Sequence, residues 1–212
     1  MTEATLPSNI NEHGVLTHKR VIVQRYPWIE REDRTLESIK AIVVHQTDSS
    51  TESSVFSSYT SKDGNKDGAG AHFLITKAGV IYQTASLKKR CNHVGRIKSK
   101  CYQIHGNDCS DKQIREAVKK KWPERIKEIN DIEQKKDYPD RYPINADSVG
   151  IELVGRHIND TEYEEPTAAQ QESLKWLVEE LYNILSINKS NVYRHPDVSY
   201  KHLGEAAGAK WD

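Results

Sequence analysis

The chain has no charge of one sign to spare: 31 lysines and arginines balance 31 aspartates and glutamates, for a formal net charge of zero. With no overall field to gather a polyanion, nucleic acid is not an expected partner, and any charged ligand must be met locally. No apolar run approaches the roughly 20 residues that cross a bilayer, so no membrane insertion is expected. Residues 1–10 lack the basic and apolar regions of a secretory signal, which predicts synthesis in the cytoplasm without a signal peptide. Cysteine is sparse: Cys91, Cys101 and Cys109 share one polar stretch, at spacings that match no zinc ribbon. Cys101 with Cys109 would close a short loop, Cys91 could replace either, and three ordinary thiols is the plain alternative.

What the chain does have is enough length, 212 residues, to bury a core without staples. Residues 1–38, broken by Pro7 and Pro27 around a short strand candidate at Val21-Ile22-Val23, read as an arm packed on a domain over residues 39–212. The run Ala41-Ile42-Val43-Val44 predicts a buried strand, and Ser53 to Tyr59 a short helix. Two β-rich runs, residues 71–76 and 80–84, joined by Lys77-Ala78-Gly79, predict a hairpin. Residues 87–142 read as a long irregular insertion. Its basic centre carries Ile114, Val118, Trp122, Ile126 and Ile129 at helical spacing, interrupted by Pro123. A further strand is predicted over residues 148–155. Thr167-Ala168-Ala169-Gln170 then has the form of a capping box ahead of Leu174, Leu177, Val178, Leu181, Ile184 and Leu185, whose spacing predicts an amphipathic helix.

The chemistry concentrates at strand ends. His45 closes the first buried strand, and His195 closes the run Val192-Tyr193-Arg194, 150 positions later. Two imidazoles at the ends of neighbouring strands can meet over one metal ion and leave a position open for water. Glu152 sits among Val149, Ile151, Leu153 and Val154. A carboxylate there either needs a partner, because burying it alone is costly, or lies on the solvent side of an alternating edge strand. Spacing does not separate the two.

At these residues a family resemblance emerges. The motifs are Ile42-Val43-Val44-His45-Gln46-Thr47, Gly70-Ala71-His72-Phe73-Leu74-Ile75, Gly79-Val80-Ile81-Tyr82-Gln83, Asn92-His93-Val94-Gly95, Asn145-Ala146-Asp147-Ser148-Val149-Gly150-Ile151-Glu152-Leu153 and Arg194-His195-Pro196-Asp197-Val198-Ser199. In that order, across residues 40–211, the chain resembles the zinc-dependent N-acetylmuramoyl-L-alanine amidases, a type shared with phage lysozyme amidases and peptidoglycan recognition proteins. The resemblance implies an α/β fold, a central mixed β-sheet flanked by α-helices, with a groove for peptidoglycan or a muropeptide. It implies hydrolysis of the amide between N-acetylmuramic acid and L-alanine, with Zn2+ as cofactor and His45 and His195 as ligands. Glu152 falls on the family's acidic residue beside the metal, where a carboxylate can carry a proton from water to the leaving amine. Lys201 matches a lysine expected to stabilise the oxyanion.

The third ligand departs from the pattern. Members place a cysteine or aspartate before Pro-Gly soon after the second histidine, whereas here the segment reads Lys201-His202-Leu203-Gly204-Glu205-Ala206-Ala207-Gly208. Glu205 is the favoured ligand and His202 its rival. His72 and His93 match histidines near the groove: His72 is expected to give structural support with a substrate contact, and His93 to touch the glycopeptide. Trp211 is a candidate for packing near the site, while His105 and His157 receive no role. Two other functions keep the same fold, a peptidoglycan-binding module that does not cut and a cytoplasmic recycling amidase. The long insertion and a potential disulfide favour an exported antibacterial or lytic amidase acting in the periplasm or cell wall after non-classical export or lysis. Such an enzyme could require an immunity protein or a secretion-machine component as partner.

Overall fold

The computed structural model describes residues 9–159 and 161–212. Its centre is a six-stranded sheet built from β1 (Val21–Val23), β2 (Ala41–Gln46), β3 (Phe73–Ile75), β4 (Ile81–Gln83) and β5 (Ser148–Leu153), together with a last strand near the carboxyl end. A separate ribbon pairs β6 (His157–Asn159) with β7 (Glu162–Tyr163), and the last strand of the main sheet is β8 (Val192–Arg194). The order is β1-β4-β3-β5-β2-β8, parallel throughout except for the β3–β4 hairpin. The sheet is therefore mixed. The arm supplies β1, which pairs with β4 at one edge.

β2 is buried along its whole length because it lies inside the sheet with both faces covered, which is why its sequence reads as a continuous apolar run. The helices are α1 (Glu52–Thr60), α2 (Lys100–His105), α3 (Lys112–Ala117), α4 (Glu124–Glu133), α5 (Ala168–Leu185) and α6 (His195–Val198). The capping box forms at α5, with Thr167 and Gln170 each closing on the other's backbone. Leu174, Leu177, Val178 and Leu181 of α5 are fully buried against Ile42, Val44, Phe73, Ile75, Val149, Ile151 and Leu153. Each such side chain contributes about 1.5–3 kcal/mol relative to exposure.

On the opposite face, Val43 packs with Val94, Ile97 and Val198, and Leu74 packs with Tyr26 and Tyr59. A polar strip runs between these two clusters. In the insertion, Cys101 and Cys109 form a disulfide, leaving Cys91 free and buried. Ile114, Ala117 and Ile129 pack around Cys109 in a small core of their own. Asp111 caps α3 through the backbone N–H groups of Gln113 and Ile114, at 2.9 and 3.3 Å. Pro123 is the N-cap of α4, where a missing N–H costs no helical hydrogen bond, and α3 has already ended at Ala117. Trp122, expected on the helical stripe, is instead 69% exposed beside this break.

Candidate active site

Because β2, β5 and β8 run parallel, their carboxyl ends fall at one edge of the sheet, where open α/β sheets bind ligands. His45 is in register with Glu152 on the neighbouring strand, and His195 follows β8 directly as the first residue of α6. Alternation settles the question left open for Glu152. Val149, Ile151 and Leu153 turn toward α5, so Ser148, Gly150 and Glu152 turn the other way. β5 is an inner strand between β3 and β2, not an edge. The result is a cleft of about 600 Å³ whose walls include His45, His93, Glu152, His195, Lys201 and Glu205.

Three ligand-type groups converge at its floor. His45 Nδ1 lies 2.9 Å from His195 Nδ1, and Glu205 Oε1 lies 2.8 Å from His195 Nδ1 and 3.5 Å from His45 Nδ1. All three residues are buried. His195 Nε2 is 2.8 Å from the Val94 carbonyl, which can only accept, so the neutral ring keeps its hydrogen on Nε2. Its Nδ1 is then a lone pair aimed at a carboxylate oxygen. Two acceptors facing each other at that distance need a cation or a shared proton between them. Burial and the adjacent His195 push His45 down to about 4, which keeps it a neutral donor atom at neutral pH. Burial alone would raise the Glu205 carboxyl, but the two imidazoles facing it hold it far below the usual carboxylate range. Two imidazoles and one carboxylate, with ligand atoms within 4.8 Å of one another, suit a zinc ion.

The Glu205 carboxylate is delivered by a turn rather than by an element. Arg194, whose side chain lies on the α5 side of the sheet, ties that turn down through the carbonyls of Ala206 and Ala209, at 3.1 and 2.8 Å. Trp211 stacks over the Arg194 guanidinium at 4.8 Å and joins the α5-side core, so it packs behind the site and not in it. His202 borders the cleft, but its ring lies 4.7 Å from that of His157, outside the converging group.

Glu152 is held by a residue that sequence reasoning missed. The Tyr59 hydroxyl, from α1, donates to Glu152 Oε2 at 2.5 Å. Burial raises the Glu152 carboxyl, and the Tyr59 hydrogen bond opposes that rise. The only hint in the sequence was the apolar spacing that puts Val55 and Tyr59 on the inner side of α1. Lys201 is exposed at the cleft rim. His72 is fully buried outside the cleft walls. It accepts from the Gly150 N–H at 3.1 Å and lies 3.0 Å from the Lys89 carbonyl and 2.7 Å from the Arg34 guanidinium. That placement buries His72 in hydrogen-bonded packing behind the cleft and leaves it no exposed surface. His93 does reach the cleft, and burial holds it well below the usual histidine range, hence neutral.

A family model described as N-acetylmuramoyl-L-alanine amidase matches residues 35–212. No curated protein matches the chain in sequence. Among solved structures, a selenomethionine derivative of AmpD is 17% identical, with 94% of each chain covered and a TM-score of 0.55. The amidase LysC from Clostridium intestinale URNW is 18% identical over 85% of this chain and 86% of its own, at a TM-score of 0.48. The E. coli amidase AmiD, solved with anhydro-N-acetylmuramic acid-L-Ala-D-gamma-Glu-L-Lys, is 16% identical over 79% of this chain and 52% of its own, also at 0.48. At such identities the AmpD likeness shows the fold alone: a mixed central sheet flanked by helices.

Proposed function

The chain belongs to the N-acetylmuramoyl-L-alanine amidase family, and from that premise we propose that it hydrolyses the amide joining N-acetylmuramic acid to the L-alanine of the peptidoglycan stem. His45, His195 and Glu205 would hold the zinc ion, and the observation that carries this is the convergence of their ligand atoms, with the His195 Nδ1 lone pair facing the Glu205 carboxylate at 2.8 Å. When bound, the ion supplies Lewis acidity for attack on the amide carbonyl. The remaining work falls to the chain's own side chains. Glu152 takes a proton from the attacking water and passes it to the amine as the C–N bond breaks. Its burial, which favours the protonated carboxyl, suits a group that must both accept and return a proton. Lys201, at the rim, offers its ammonium to the oxyanion that forms on the carbonyl oxygen.

The Cys101–Cys109 disulfide supports action in an oxidising compartment such as the periplasm or cell wall, hence an exported lytic or antibacterial amidase. The test is incubation of the purified protein with isolated peptidoglycan, with and without a zinc chelator, and mass spectrometry of the soluble products. Stem peptides beginning at L-alanine are expected only where metal is present. Intact sacculi that still pull down the protein would replace catalysis by recognition. Equal release of peptide with chelator present would remove zinc from the mechanism.

A further inference from the structure

Three polar groups stand in a row behind His45. Ser148 Oγ lies 2.7 Å from the Ile144 carbonyl oxygen, and a carbonyl has no hydrogen to give, so the serine hydroxyl hydrogen occupies that contact. Toward His93 Nε2, 3.2 Å away, Ser148 Oγ is then an acceptor, which places the hydrogen of the neutral His93 ring on Nε2. His93 Nδ1 is left bare at 2.9 Å from His45 Nε2, so the His45 hydrogen must be on Nε2. The bare nitrogen of His45 is Nδ1, the atom that faces His195 and Glu205.

From this row we infer that His93 is a positioning residue for the metal centre, one that locks His45 in its Nε2–H form and turns its Nδ1 lone pair to the ion. The inference rests on the zinc site proposed above. Both ring nitrogens of His93 are committed, so it has no hydrogen bond left for a glycopeptide, in place of the contact the family resemblance implied. Its seat is built for the purpose. A Cβ at Gly150 would stand 2.9 Å from both Cγ and Nδ1 of His93, so the ring lies against the β5 backbone where only glycine leaves room. The backbone is pinned as well: the N–H groups of His93 and Val94 both donate to Asn145 Oδ1, at 3.0 and 2.8 Å. The same dipeptide presents the Val94 carbonyl to His195 Nε2. Two adjacent residues thus set the tautomers of both imidazole ligands, His93 with its side chain and Val94 with its carbonyl. Partners of this kind, which hold a ligating histidine from behind, commonly change metal affinity about 10–100-fold when removed.

The test compares the full chain with His93→Ala, His93→Asn and Ser148→Ala. Zinc affinity is measured by competition with a chromophoric chelator, the His45 tautomer by ring 15N NMR of the metal-free protein, and KM and kcat on muropeptide. His93→Ala is expected to weaken zinc binding about 10–100-fold and to lose the uniform Nε2–H signature of His45. His93→Asn, whose side-chain oxygen can stand where Nδ1 stood, should regain part of both, and Ser148→Ala should weaken both in the same direction. Unchanged affinity and tautomer in His93→Ala, with KM alone raised, would overturn the inference and return His93 to the substrate. A wild-type protein that binds no zinc would sink the metal reading itself, and the tautomer still decides the row: His45 found as Nδ1–H in the metal-free protein rejects it. Should His93→Ala fail to fold, Ser148→Ala and the wild-type spectrum carry the same decision.

Discussion

The two faces of the central sheet are made by alternate residues of the same strands and behave as different materials. Toward α5, Ile42, Val44, Val149, Ile151 and Leu153 meet Leu174, Leu177, Val178 and Leu181 in one apolar cluster. Toward the cleft, the same strands present His45, Ser148, Gly150 and Glu152, and nearly every polar atom there is spoken for. A dry face tolerates small changes of shape at a cost in stability, because dispersion and burial are non-directional. The polar face has its energy in directed hydrogen bonds, so a change of one atom there alters chemistry more than stability.

If the faces are separable in this way, the largest effect belongs to a substitution on the polar face that barely alters volume. Glu152→Gln should lower kcat by about two to four orders of magnitude, with zinc content and melting temperature close to wild type. Loss of zinc in that variant would make Glu152 part of the metal site or its scaffold instead. On the dry face, Leu177→Ala should cost about 2–5 kcal/mol of stability, read by denaturant unfolding, while the folded fraction keeps its zinc affinity. A fall in zinc affinity of the folded protein would show that the α5 core transmits strain through the sheet. The smallest and most specific effect is expected from Tyr59→Phe. The Tyr59 hydroxyl stabilises the ionised form of Glu152, so its removal raises that carboxyl further. Because the base form must be ionised, the acid limb of kcat/KM should move to higher pH. A limb that stays in place or moves down would separate Tyr59 from the proton transfer.

The elements were legible in the sequence wherever they were local. The apolar run before His45, the Lys77-Ala78-Gly79 connection and the box at Thr167 each state their structure within a few residues, because backbone pairing, turn geometry and capping act at short range. What was not legible lies between distant residues. Tyr59 meets Glu152 across 93 positions, and the spacing within α1 hints only that Tyr59 turns inward, not what it meets. The choice of Glu205 over His202 depended on a turn held by the Arg194 side chain from the far side of the sheet. Likewise, three cysteines in one stretch allowed several pairings until the insertion's packing brought Cys101 to Cys109 and buried Cys91 elsewhere.

By itself the sequence determined the strands of the central sheet, though not the β6–β7 ribbon, together with the long amphipathic helix and the positions of His45, His195 and Glu152 at strand ends, since hydrophobic periodicity encodes which residues must leave water. Only the tertiary structure decided which strand became an inner one, which carboxylate joined the two histidines, and which nitrogen of each ring faces inward. Those choices depend on the direction of hydrogen bonds between groups far apart in the chain, and direction is a property of three-dimensional neighbours.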